Sequence, residues 1–195
     1  MKAGLFLLYE RKEETVISRI QHRKECEGYA RLDRRPYHER KSRYQVACDR
    51  LLRGGLCERD IVVDIGAGYT ELDFCLRTEH GWRGRYVPID GWVDGTDIEK
   101  WAPEFDFHWF AALELLEHLH DPKRLVEELK ARAEFGFVIT TPNPDVVDVL
   151  AMDPTHITPL SRDLLESWGI YTTLHNFYGT HEDGIAGMWT RRDVR

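Results

Sequence analysis

The stretch Ile61–Leu76, IVVDIGAGYTELDFCL, decides how this chain is read. Ile61, Val62, Val63 and Ile65 suit a strand buried on both faces, as the first strand of a parallel sheet is. Asp64 sits within that run, and Gly66 and Gly68 follow as a tight turn. Thr70 with Asp73 resembles a capping box, and acids near a helix N-terminus are favoured by its dipole. The segment therefore reads strand, glycine turn, helix. Such a unit leaves backbone amides at the carboxyl edge of a sheet, where doubly wound folds bind ligands.

The glycine spacing narrows the ligand. A dinucleotide fingerprint places a third glycine three residues after the second, so that helix and strand pack closely and the helix end receives a pyrophosphate. Here that position is Glu71. A carboxylate there, with Asp64 before the turn, suits a ligand carrying positive charge better than an anionic one. No Gly-Lys-Ser/Thr follows either, which excludes the phosphate-loop signature.

Asp64-Ile65-Gly66-Ala67-Gly68 resembles the first motif of the class I S-adenosylmethionine-dependent methyltransferases, acid-x-Gly-x-Gly. Asp64, Gly66, Ala67 and Gly68 then hold the methionine end of the cofactor. Gly84–Asp90, GRYVPID, reads as the second strand and ends in an acid. The ribose of an adenosine offers two hydroxyls that one carboxylate can accept, and by the resemblance Asp90 takes that role. WVDGTDIEKW, which follows, is too short for a full crossover helix, because parallel strands need a dozen or more connecting residues. The third strand is expected as a stub around Val93–Ile98. Asp97 and Ile98 fall where the family's adenine contacts lie, and Leu113, at the end of the fourth strand, joins them.

Phe105–Leu113 is that fourth strand. In ALELLEHLHDP beyond it, Asp121 is an N-cap and Pro122 a first helical residue, so a helix is expected from there through Ala133. Glu114, Glu117 and His118 share one face if their segment makes a helical turn. The run looks like the family's fourth motif, Glu-x-x-Glu-His, as in quinone-biosynthesis and small-RNA 2′-O-methyltransferases. Phe135–Thr141 is a fifth strand running into Thr-Pro-Asn-Pro, and His156 lies in the following loop. Ser161 caps a helix over Arg162–Trp168, and Tyr171–Tyr178 and Gly184–Arg191 complete the core as an antiparallel pair. The resemblance implies a Rossmann-like, doubly wound, seven-stranded, mostly parallel sheet with an antiparallel carboxyl-terminal strand.

The chain has 195 residues, 42% hydrophobic and 31% charged, which fits one soluble α/β domain. No apolar run approaches the roughly 20 residues of a membrane span, and the opening GLFLLY is too short to read as a signal peptide. Cys26, Cys48, Cys57 and Cys75 lack CxxC spacing, so reduced thiols in a cytoplasmic protein are expected. The net charge of −7 divides unevenly: residues 1–53 hold 14 Lys plus Arg against 8 Asp plus Glu, and residues 54–195 hold 13 against 26. Residues 1–53 read as a basic helical arm or lid on a core at 54–195. The arm has helical stretches over residues 10–30 and Tyr37–Leu52, and Tyr29, Tyr37 and Tyr44 are candidates for its cofactor-facing side.

The expected activity is S-adenosylmethionine-dependent methyl transfer, with Glu117, His118 and His156 facing the acceptor as catalytic residues. Imidazoles titrate near neutrality and serve as bases for an oxygen nucleophile, so O-methylation is slightly preferred. Glu114, Glu117, His118 and His156 together offer two carboxylates and two imidazoles to a divalent metal. A small-molecule acceptor is favoured over RNA because the body is acidic. Two alternatives stand beside this reading: an S-adenosylmethionine-binding protein without transferase activity, and a nucleotide- or nicotinamide-binding protein on a similar sheet.

Overall fold

The computed structural model describes residues 37–191. The 10–30 helix and Tyr29 lie outside them. Tyr37–Gly54 forms α1 and is followed by β1 (Ile61–Ile65), α2 (Glu71–Thr78), β2 (Arg85–Ile89) and β3 (Phe107–Leu113). A one-turn 3-10 helix at Leu116–His118 leads to α3 (Pro122–Arg132) and β4 (Ala133–Pro142). The chain continues with α4 (Val149–Met152), α5 (Arg162–Ser167), β5 (Tyr171–His175) and β6 (Gly184–Thr190).

Among the described residues the strands make one six-stranded sheet in the order β2-β1-β3-β4-β6-β5. The pairs β1–β2, β1–β3 and β3–β4 are parallel, and β6 runs antiparallel to both β4 and β5. Alternation along each strand divides the core in two. Val63, Ile65, Phe110, Phe137 and Ile139 face α3 and α5 through Leu125, Val126, Leu129 and Leu165. Val62, Trp109, Ala111 and Val138 face α1 and α2 through Ala47, Cys48, Leu51, Leu72, Cys75 and Leu76. Gly136 on β4 has no room for a side chain, since a Cβ there would lie 2.3 Å from the Trp189 carbonyl oxygen.

Two expectations are corrected. The seventh strand, expected as a stub at Val93–Ile98, is absent, and that stretch is a series of turns. Val93 and Ile98 are buried, and the amides of Val93 and Asp94 fold back onto the Asp90 carbonyl, so the segment's polar backbone is satisfied locally rather than on a ladder. Arg124 fastens the segment by donating to the carbonyls of Ile98 and Trp101, and Glu99 accepts from the His120 amide at 2.7 Å. The Thr70–Asp73 capping box is also absent. Thr70 has φ 62° and makes no side-chain cap, while Asp73 pairs with Arg77 one turn on. The caps expected at Asp121 and Ser161 form, accepting from the amides of Arg124 and Leu164.

The inner face of α1 is continuous with the core. Leu51→Ala should therefore lower stability by about 2–5 kcal/mol in urea unfolding. A loss below about 1 kcal/mol would mean that α1 is not part of the cooperative unit.

Candidate functional site

The site lies where β1, β2, β3 and β4 end together. At the turn, Gly66 and Gly68 both take left-handed conformations (φ 74° and 49°), which glycine enters without steric penalty. A Cβ on Gly66 would meet Leu115 at 3.0 Å. The Gly66 and Ala67 amides donate to the Ile89 carbonyl, so the turn is tied to the end of β2.

Asp90, next after β2, is 5% exposed. Its Oδ2 accepts from the Gly68 amide at 2.8 Å, and its Oδ1 accepts from Trp92 at 2.8 Å and Val93 at 3.1 Å. Three amide donors fix this carboxylate against the glycine turn, with acceptor capacity left on Oδ2. Asp64 is buried beneath it. The Tyr86 hydroxyl donates to Asp64 Oδ2, and Oδ1 has no hydrogen-bond partner. Burial pushes the Asp64 carboxyl up to about 8; the Tyr86 hydrogen bond opposes this, and the carboxylates of Asp90, Glu71 and Asp73 add to it.

Glu71 does not face a ligand as a free charge. Arg40 and the Tyr44 hydroxyl, both from α1, donate to its two oxygens, the tyrosine at 3.0 Å. Arg43, one turn along, pairs with Glu114 at 3.2 Å. Arg40, Arg43 and Tyr44 are spaced i, i+3 and i+4, and all three are buried. Of the candidate lid tyrosines, Tyr44 thus holds Glu71, and Tyr37 stacks on Tyr44 while donating to Glu79. The two arginines were missed in the sequence. The available signal was a pair of cations on the apolar stripe of α1, where only partnered charges are tolerated.

On the far side of the turn, Glu117 is fully buried. No well-formed hydrogen bond reaches either of its carboxylate oxygens, and the Thr141 hydroxyl lies beside them. Burial, reinforced by the Glu114 carboxylate, raises its pKa well above the usual range. The Glu117 carbonyl accepts from the amides of Ile157 and Thr158, which holds the 155–158 loop against the 3-10 turn. The His118 and His156 rings meet edge to face with centroids 4.6 Å apart. His156 Nδ1 donates to the Val149 carbonyl at 2.7 Å, which leaves Nε2 with its lone pair. The Thr155 hydroxyl gives its proton to Asp153, so His118 Nδ1 is the donor toward Thr155, and His118 Nε2 is likewise open. Burial and the neighbouring His156 lower the pKa of His118, which keeps it neutral.

One donor atom each from Glu117, His118 and His156 lies within 4.8 Å of the others. Glu114 is not in this group. Its backbone is left-handed (φ 52°), which breaks the helical turn that would have aligned it and sends its side chain to Arg43. The expected four-ligand set is thus three. Leu113 ends β3 and is buried on the α1–α2 side. Asp97 pairs with Lys100 at 2.7 Å with half its side chain exposed, and Ile98 packs into the core beside α3.

A cavity of about 730 Å³ lies elsewhere, between the end of α1 and Trp109, Phe135, Tyr171 and Met188. It opens toward the amino ends of β3 and β4, away from the turn, and takes no part in the arrangement above. No helix among the described residues is long and apolar enough to cross a membrane.

No protein-family model matches the chain, and no curated protein matches it. Solved structures do. A chain from the complex between the Haloferax volcanii Trm112 methyltransferase activator and a methyltransferase aligns over 83% of this chain and 96% of its own, with TM-score 0.60 and 16% identity. An S-adenosylmethionine-dependent methyltransferase from Aquifex aeolicus aligns over 83% and 96%, with TM-score 0.55 and 18% identity. Another from Archaeoglobus fulgidus aligns over 80% and 97%, with TM-score 0.53 and 17% identity. The chain has the Rossmann-like fold of these proteins.

The Asp64 carboxyl carries a testable sign. Unfolded, an aspartic acid titrates near about 3.9, so between about pH 4 and 8 the folded chain keeps a proton that the unfolded chain has lost. Its contribution to stability is most favourable below about pH 4 and declines by up to about 1.4 kcal/mol per pH unit through that window. Asp64→Asn should flatten the fall of Tm between pH 5 and 8 in scanning calorimetry. Identical slopes for the two proteins would mean that Asp64 is ionised throughout.

Proposed function

We propose that the protein is an S-adenosylmethionine-dependent methyltransferase with a small-molecule acceptor. The observation that carries this reading is geometric: the buried Asp90 carboxylate is fixed against the glycine turn by three amides with acceptor capacity left on Oδ2, and Asp64 is buried beside it. A pyrophosphate would add anionic charge to that cluster, whereas a ligand with ammonium and sulfonium groups would neutralise it. The fold shared with the methyltransferases above supports the same reading as an analogy.

In this reading Gly66, Ala67 and Gly68 let the backbone approach the methionine end, and Asp64 Oδ1 offers it an acceptor. Asp90 accepts from the ribose, held in place by three amides. By the family resemblance Asp97, Ile98 and Leu113 bound the adenine side, with Ile98 and Leu113 reaching it from opposite faces of the sheet, and Arg40, Arg43 and Tyr44 seat α1 over the turn. When bound, the cofactor supplies a methyl group on a positively charged sulfur. The chain's part is to hold the acceptor in line, exclude water and take its proton. His118 and His156, each with Nε2 open, are the bases for an oxygen acceptor. The acidic balance of residues 54–195 argues against RNA.

The same three side chains fit a divalent metal. Glu117 is a buried carboxylate without a well-formed hydrogen bond, and both imidazoles are oriented from behind by carbonyl oxygens, as metal-ligating histidines are. Such an ion would lower the pKa of an acceptor hydroxyl.

Calorimetry tests the cofactor assignment. S-adenosylmethionine should bind and NAD⁺ should not, and Asp90→Ala should weaken binding by about 10- to 100-fold, or about 1.5–3 kcal/mol. A cation prefers the ionised carboxylate, so affinity should rise between pH 6 and 8 in the wild type but not in Asp64→Asn. Binding of NAD⁺ alone would reverse the assignment. For the metal, Mn²⁺ should bind the wild type and fail to bind Glu117→Gln; equal binding to both would place the ion elsewhere.

A further inference from the structure

A second group of ligating side chains lies away from the turn, where α1 packs on α2. Cys48, on α1, and Cys75, on α2, are both fully buried and face each other across the helix interface, with no disulfide between them. His80 follows two residues after the end of α2 and is exposed. One donor atom from each of the three lies within 4.8 Å of the other two. The motif spacing in the sequence hides this group, because Cys48 and Cys75 are 27 positions apart and no CxxC occurs.

We infer that Cys48, Cys75 and His80 form a binding site for a thiophilic divalent ion, with Zn²⁺ as the chemically matched occupant. Two sulfurs and an imidazole are a soft donor set, which selects zinc over magnesium or calcium. Zinc–sulfur bonds are about 2.3 Å and zinc–nitrogen bonds about 2.0–2.1 Å, so tetrahedral donors stand roughly 3.4–3.8 Å apart. With all three donors already within 4.8 Å of one another, closing to that geometry takes at most about 1.4 Å. Two thiolates balance a dication, so the buried part of the site gains no net charge. The side of the site toward His80 is open to solvent; it is the entry path, and a water completes the shell there.

Glu79, the residue before His80, is already engaged: it accepts from the Tyr37 hydroxyl and from Gln45, and pairs with Lys41 at 3.0 Å. All three partners belong to α1. Cys48 lies one helical turn past Tyr44, so an ion here would tie α1 to α2 directly behind the residues that seat α1 over the glycine turn. The ligand set is independent of any reaction at that turn.

The test uses the full chain, reduced and stripped of metal by a chelator, with Co²⁺ as the spectroscopic probe. One Co²⁺ per chain should bind with a thiolate-to-cobalt charge-transfer band, and Zn²⁺ should displace it. The Glu117, His118 and His156 group contains no sulfur and cannot give that band. Cys75→Ser should abolish it, and Cys57→Ser, at an exposed thiol outside the group, should leave it intact. His80→Ala removes an exposed side chain, so the fold is kept even if Cys75→Ser does not fold, and it should weaken Co²⁺ binding at least ten-fold. No charge-transfer band, a band that persists in Cys75→Ser, or unchanged affinity in His80→Ala would each overturn the site.

Discussion

Two buried ion pairs from one helix to the carboxyl edge of the sheet govern the arrangement around the turn. Arg40 meets Glu71 with Tyr44 completing the acid's coordination, and Arg43 meets Glu114. A charge taken out of water is tolerated only when it is partnered, and removing one member of such a pair strands the other at a cost of about 3–5 kcal/mol. The position of α1, the left-handed turn at Glu114 and the orientation of Glu71 are therefore mutually dependent. Each is costly alone and stable together. The pairs also sort the acids at this edge: Glu71 and Glu114 are neutralised by arginines of α1, while Asp64 and Asp90 stand beside the glycine turn.

Much of the fold was legible because its signals are local. β1, the glycine turn and the caps at Asp121 and Ser161 depend on residue type and spacing within a few positions, and they form where the sequence places them. The failures share a different origin. Thr70 and Asp73 have the chemistry of a capping box, but the turn delivers Thr70 in a left-handed conformation from which its hydroxyl cannot reach the helix amides. Val93–Ile98 has enough apolar residues for a strand stub, but they are spent anchoring a loop that Arg124 holds from another element. Neither outcome is visible without the tertiary partner.

The site divides along the same line. Asp90, Glu117, His118 and His156 stand out in the sequence because each follows a recognisable strand end or motif, and the structure brings the last three together. Glu114 was grouped with them on helical spacing, which holds only if the backbone is helical; a single positive φ separates it. Arg40 and Arg43 were invisible as site residues, since nothing within α1 says what its cations will meet. The same holds for Cys48, Cys75 and His80, which become neighbours only when α1 lies on α2.

The segment between β2 and β3 is secured at its far end by one arginine and one histidine–glutamate contact, and no sheet hydrogen bond depends on its length. Residues can be added or removed there without shifting the register of any strand. The segment's tie to the core is instead two buried side chains, Val93 and Ile98, with polar turns between them. Length changes between those two anchors would alter the surface of the molecule and leave the sheet as it stands.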